Sequence, residues 1–242
     1  MNVLAVVPLY PPHSRVGAWL ATHQFLRHLV SCGHEVTAFA MRTRIRAYEL
    51  DGVHVESVMR GHDFAHALAR EADVVICHAG DGDYGAGLVA GTDAKLVTMV
   101  HGAGYNAIHP ATSLAAFNSQ SLRKKAQWTG PSVVCHPPTI PDEHSVPERG
   151  SSITVVNCSV DKGIKVAWRV AEMMPERTFL GVLGGYGQQV KPRARNFAVI
   201  PTTKDMRTVW AQTRILLMPS AFETWGMVGV EAMCSGIPVI AH

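Results

Sequence analysis

Two glutamates eight positions apart, Glu223 and Glu231, bracket a glycine, Gly226, in the segment RILLMPSAFETWGMVGVEAMCSGIPVIAH. The apolar run Ile215 to Met218 reads as a strand, helical periodicity begins at about Gly226 and runs to Ser235, and a further strand, Pro238 to Ala241, follows. The first backbone N–H groups of such a helix have no acceptor within it. Those of Gly226, Met227 and Val228 therefore suit a phosphate. Glu223 precedes the helix start and Glu231 lies about one and a half turns into it, so the two acids flank one anion-binding corner instead of pairing. An ionised carboxylate accepts hydroxyl protons with good geometry, which suits one acid to a sugar and the other to the ribose of a nucleotide. Two isolated glutamates would more simply be a loop acid and a solvated helix acid, so the surrounding motif decides.

Further candidates lie upstream. Asp161-Lys162-Gly163 follows the apolar run ITVVN and opens a helical segment. A lysine there opposes the local helix dipole unless an anion sits beside it. The turn LGGYG, with Gly184, Gly185 and Gly187, allows a ligand to approach the backbone closely. In the first half of the chain His101-Gly102 ends the run KLVTMV. It is one of 13 histidines, and a strand-end histidine is more often structural than functional. Asp81-Gly82-Asp83 also follows an apolar run and is ordinary turn chemistry.

Taken together, the segment around Glu223 resembles the donor-binding signature of the retaining GT-B glycosyltransferases, in particular the family 4 type. The resemblance rests on the E-x7-E pair, Pro219-Ser220, the step Trp225-Gly226, the EAM run and the Gly-x-Pro-Val ending at Gly236 to Val239. It implies two Rossmann-like domains holding a nucleoside diphosphate sugar, and hexose transfer to an acceptor hydroxyl with retention, through front-face attack and without a metal or other cofactor. By the same resemblance Glu223 and His101 are the catalytic-site residues. Lys162 contacts the donor diphosphate, Gly226, Met227, Val228 and Glu231 complete the donor site, and Gly17 belongs to a loop that approaches phosphate and acceptor. Two departures stand out. Many relatives carry an arginine just before the lysine, where this chain reads Val156, Asn157, Cys158, Ser159; many also pair glycines where it has Val16-Gly17. The D-x-D triplet at Asp81 matches instead how single-domain, metal-dependent glycosyltransferases hold a cation, a class that has no need of a second α/β domain. Rival readings are a nucleotide-sugar epimerase on the same fold and a non-catalytic nucleotide-sugar-binding module. A nicotinamide dehydrogenase is disfavoured because PLYPPHSRVG, and not a G-x-G-x-x-G turn, follows the first strand.

These residues must be positioned by an alternation of short apolar strands and helical segments, the pattern of parallel sheets covered on both faces. In residues 1–140 strands are expected at Val3 to Val7, Glu35 to Ala40, Val53 to Val58, Asp73 to Cys77, Lys95 to Val100, Leu114 to Phe117 and Ser132 to Cys135, with helices from Ala18 to Leu29 and from His62 to Arg70. Residues 141–151, rich in proline and charge, read as a linker. Residues 152–242 repeat the alternation: strands at Ile153 to Val156, Thr178 to Val182, Phe197 to Ile200 and Ile215 to Met218, helices at Ile164 to Met174 and Asp205 to Gln212, then the unit around Glu223. The chain stops at His242 directly after a strand, so the second domain is expected to be incomplete.

Composition agrees with a globular α/β protein: 242 residues, 47% hydrophobic and 17% charged. The five cysteines include no C-x-x-C pair, which argues for neither a disulfide framework nor a zinc site and favours a reducing, cytoplasmic setting. The opening MNVLAVVPLY lacks a basic leader and is read as a buried strand. A net charge of +3 does not call for nucleic acid. The basic clumps Arg42/Arg44/Arg46 and Arg123/Lys124/Lys125 read first as solvated faces. Their second reading is an anionic or lipid-linked acceptor and a peripheral position at the inner membrane surface.

Overall fold

A computed structural model describes residues 1–14, 16–102, 108–185 and 187–241; Arg15 of the first loop, Tyr186 of the glycine turn and the terminal His242 lie outside them. The chain divides into two compact units, Met1–Pro138 and Thr139–His242.

In the first unit the elements run β1 (Asn2–Val7), α1 (Gly17–Ser31), β2 (Glu35–Ala40), β3 (Tyr48–Leu50), β4 (Val53–Ser57), α2 (His62–Glu71), β5 (Val74–His78), α3 (Gly82–Val89), β6 (Lys95–Val100), β7 (Leu114–Phe117), α4 (Gln120–Lys125) and β8 (Ser132–Val134). They form an eight-stranded sheet of order β3-β4-β2-β1-β5-β6-β7-β8, parallel except for the β3–β4 pair. Side chains of β1 alternate between faces, as a strand requires. Val3, Ala5 and Val7 pack with Leu26 of α1, whereas Leu4 and Val6 pack with Ala65 and Ala69 of α2 and Leu88 of α3. Because both faces are covered, the central strand is apolar from Val3 to Val7 instead of alternating with polar residues.

In the second unit α5 (Pro141–His144), β9 (Ser152–Val156), α6 (Ile164–Met173), β10 (Phe179–Val182), β11 (Phe197–Ile200), α7 (Arg207–Trp210), β12 (Thr213–Met218), α8 (Met227–Cys234) and β13 (Val239–Ala241) follow one another. The sheet is parallel, with order β11-β10-β9-β12-β13. Ile153 and Val155 pack with Ile164, Ala167 and Ala171 of α6 on one face. Leu180, Val182 and Leu216 pack with Trp210 of α7 and Ala232 of α8 on the other.

Some elements depart from the sequence reading. β3 was not expected, although Asp51-Gly52 between it and β4 has positive φ at both residues, 50° and 79°, the conformation that two-residue hairpin turns demand. α3 was hidden by its glycines, which are poor helix formers; Gly85 is needed because a Cβ there would lie 2.8 Å from Cys77 Sγ. The helix expected over 205–212 shrinks to Arg207–Trp210, because the Asp205 carboxylate accepts from the Arg207 backbone N–H at 3.0 Å and holds the preceding residues in a turn. Residues 141–151 do not behave as a free tether. The Ser235 hydroxyl donates to the His144 carbonyl (2.8 Å) and accepts from Val146 N–H (3.1 Å), and Arg149 donates to the Gly236 carbonyl, so this stretch is fastened to the end of α8.

Among its parallel strands each sheet has one point where the strand order reverses direction: between β1 and β5 in the first unit, and between β9 and β12 in the second. Beyond the carboxyl ends of such strand pairs lies the ligand crevice of an open α/β sheet. The loops that leave β9 and β12 carry Lys162 and Glu223; the loop after β1 leads to Gly17, and β5 ends on His78.

Candidate active site

In the second unit the two loops are locked together by a glycine. Gly163 has φ of 77° and caps α6, and a Cβ on it would lie 2.0 Å from the Pro219 carbonyl oxygen. Only glycine allows that approach. The Ala221 N–H then donates to the Asp161 carbonyl at 3.2 Å. With the backbones fastened in this way, Lys162 Nζ donates to Glu223 Oε1 at 2.5 Å, and both side chains are about a quarter exposed, at 24% and 28%. The buried Ser220 hydroxyl donates to the same oxygen at 2.8 Å. Two donors thus converge on Oε1, while Oε2 has no partner among the described residues.

Three residues past Glu223, Gly226 adopts the left-handed conformation (φ 83°) and turns the chain into α8, with no side-chain cap on that helix. Gly229 N–H returns to the Gly226 carbonyl at 2.9 Å, so the N–H groups of Met227 and Val228 have no acceptor within the helix. A Cβ on Gly229 would lie 2.7 Å from Met218 Sδ, which explains a glycine inside so short a helix. Glu231 is half-buried further along α8. Burial raises its carboxyl above the usual carboxylate range, and His144 on α5 partly offsets this. Its carboxyl group makes no hydrogen bond among the described residues.

Sequence reasoning missed a third contributor, Gln189. Its side-chain amide accepts from Gly184 N–H (2.8 Å) and donates to Asn157 Oδ1 (2.9 Å), joining the loop after β9 to the glycine turn after β10. Asn157, with φ of 64°, accepts that bond through its side-chain carbonyl oxygen. A Cβ on Gly184 would lie 2.3 Å from that oxygen, so this glycine serves loop packing.

In the first unit His101, half-buried just past β6, meets two residues the sequence did not single out. His78, at the end of β5, has its ring centroid 4.8 Å from that of His101 and stacks on Trp19 of α1 at 4.7 Å. The buried Thr22 hydroxyl lies 2.8 Å from His78 Nε2 and 3.5 Å from His101 Nε2. Asn118 Nδ2 donates to the His101 carbonyl at 3.1 Å. Burial pushes the His101 imidazole down to about 4, and burial together with the neighbouring His101 lowers His78 well below its ordinary value. Both rings are neutral at pH 7. Gly17 is the exposed first residue of α1, two positions before Trp19.

The D-x-D triplet is divided between two environments. Asp81 is buried beneath Arg42, which donates to it at 2.8 Å, while the Asp83 side chain is fully exposed. Among the described residues no group of three or more histidine, cysteine, aspartate or glutamate side chains is placed to hold a metal. Nor is any helix of the described residues long and apolar enough to cross a membrane.

Residues 154–242 match the family model described as Glycosyl transferases group 1. No curated protein matches the sequence. Among solved structures, HepE of Anabaena, in complex with UDP and glucose, is 16% identical, with a TM-score of 0.78 over 100% of this chain and 80% of its own. A glycosyltransferase from Rickettsia africae is 14% identical with a TM-score of 0.71, over 99% and 78%. WaaG, a glycosyltransferase involved in lipopolysaccharide biosynthesis, is 14% identical with a TM-score of 0.70, over 99% and 80%. At these identities the likeness establishes a shared fold, the GT-B type expected from the sequence.

Proposed function

We propose that this chain is a glycosyltransferase that moves a hexose from a nucleoside diphosphate sugar to an acceptor hydroxyl, with retention of configuration and without a metal. The observation that carries this reading is the junction of the loops after β9 and β12. There an ammonium group, the start of α8 and a carboxylate with one open oxygen come together through the fit of Gly163 against Pro219. The match of residues 154–242 to the group 1 model, and the UDP and glucose in the Anabaena neighbour, support it.

In this reading the donor diphosphate takes up the N–H groups of Met227 and Val228 and draws Lys162 toward it. As the bond to the anomeric carbon breaks, negative charge grows on the diphosphate, and these donors hold it more strongly than in the ground state. Glu223 keeps Oε2 for a sugar hydroxyl, and Glu231 accepts from the ribose. His101, neutral, hydrogen-bonds a hydroxyl of the transferred sugar. The test is thermal unfolding of the whole chain against a panel of nucleoside diphosphate sugars, with and without a divalent-metal chelator. Stabilisation by one donor class regardless of chelator supports the proposal, and stabilisation lost with the metal removes its metal-free part.

A further inference from the structure

The Thr22 hydroxyl has one proton and three polar neighbours at close range: the Ala18 carbonyl at 2.9 Å, His78 Nε2 at 2.8 Å and, more distantly, His101 Nε2 at 3.5 Å. The sulfur of Met99, 3.9 Å away, is a weak acceptor that does not compete with the carbonyl. A carbonyl oxygen can only accept, so without the hydroxyl proton between them the two oxygens would repel. Thr22 therefore donates back along its own helix, the i to i−4 bond open to a helical threonine. Its remaining lone pairs can only accept, and the imidazole nitrogens facing it must bring the protons.

We infer that Thr22 is a positioning residue that sets the tautomers of His78 and His101: both rings carry hydrogen on Nε2 and keep Nδ1 as an acceptor. The stack of Trp19 on His78 holds that ring against rotation out of this arrangement, and the Asn118 bond fixes the backbone from which the His101 ring projects. The functional consequence rests on the glycosyl-transfer reading. A neutral His101 with a bare Nδ1 selects a sugar position bearing an O–H donor and disfavours a deoxy or etherified one.

The experiment is long-range proton–nitrogen correlation NMR on the ligand-free full chain labelled with nitrogen-15 histidine. The two resonance sets are assigned by their disappearance in His78→Gln and His101→Gln. The wild type and Thr22→Ser are expected to show protonated Nε2 and bare Nδ1 at both rings, and Thr22→Val a mixture of tautomers. A bare Nε2 at either ring in the wild type overturns the inference, as does a Thr22→Val spectrum unchanged from wild type. If Thr22→Val does not fold, the wild-type pattern alone decides. No substrate enters the measurement, so a chain that shows the expected pattern yet binds no nucleotide sugar keeps the tautomer assignment and loses the transfer reading.

Discussion

Lys162 Nζ sits 2.5 Å from Glu223 Oε1, so the cation expected to meet a diphosphate is, without ligand, neutralised by the acid expected to meet the sugar. The pair is partly solvated, and its net stabilisation is of the small size typical of accessible ion pairs. On the proposed reading the contact acts as a preorganiser, holding the long lysine side chain ready for a phosphate and leaving Glu223 Oε2 open.

Glu223→Ala removes both the proposed sugar contact and the group that holds Lys162 in place. Turnover should fall by at least about 100-fold, the scale of losing a positioned charged contact at the reacting centre. Nucleoside diphosphate binding should persist within roughly tenfold. Steady-state kinetics beside calorimetric titration checks both, and unchanged turnover would remove Glu223 from the site.

Gly163→Ala places a methyl group against the Pro219 carbonyl at a residue with φ of 77°. Left-handed strain and overpacking together should lower the unfolding free energy by about 2–4 kcal/mol. Donor affinity should fall too, because the loops bearing Lys162 and Glu223 must separate. Urea denaturation of wild type and variant measures the first effect, and a variant as stable as wild type would refute the close packing.

Burial lowers His101 from its ordinary 6.5 to about 4. Between those values the unfolded chain binds a proton that the folded chain refuses, so stability rises with pH across this window and is lost as pH falls through it. The histidine contributes at most about 1.4 kcal/mol per pH unit. Thermal unfolding from pH 7 to pH 4.5 should show a shallower pH dependence in His101→Gln than in wild type; parallel curves would mean the ring is not desolvated.

Glu231 is raised above the ordinary carboxylate value by burial. On the proposed reading Glu231 accepts best from the ribose hydroxyls when ionised, so nucleotide affinity should weaken on acidification at a pH higher than an ordinary glutamate would cause. Glu231→Gln should flatten that dependence, measurable as Kd against pH.

The apolar alternation of the strands was legible because buried parallel strands leave little freedom in residue type: Leu114–Phe117 and Phe197–Ile200 fall where the sequence places them. The corner holding Lys162 and Glu223 was legible because glycines mark it, Gly163 and Gly226 both having positive φ. The cluster of Thr22, Trp19 and His78 was not, since its members lie on α1 and β5 and only the β1–β5 pairing of the sheet brings them together. Gln189 was hidden for the same reason: its partners, Asn157 and Gly184, follow neighbouring strands. In α3 local glycine content argued against a helix, and tertiary packing overrode it.

Calorimetric titration of UDP, ADP and GDP into wild type and Lys162→Ala, with the matching bare nucleosides as controls, addresses the diphosphate grip itself. A charge-assisted contact of about 1.5–3 kcal/mol gives a loss of roughly 10- to 100-fold for the preferred diphosphate, and little change for its nucleoside. Equal diphosphate affinity in the two proteins would contradict a donor held by Lys162 at the start of α8.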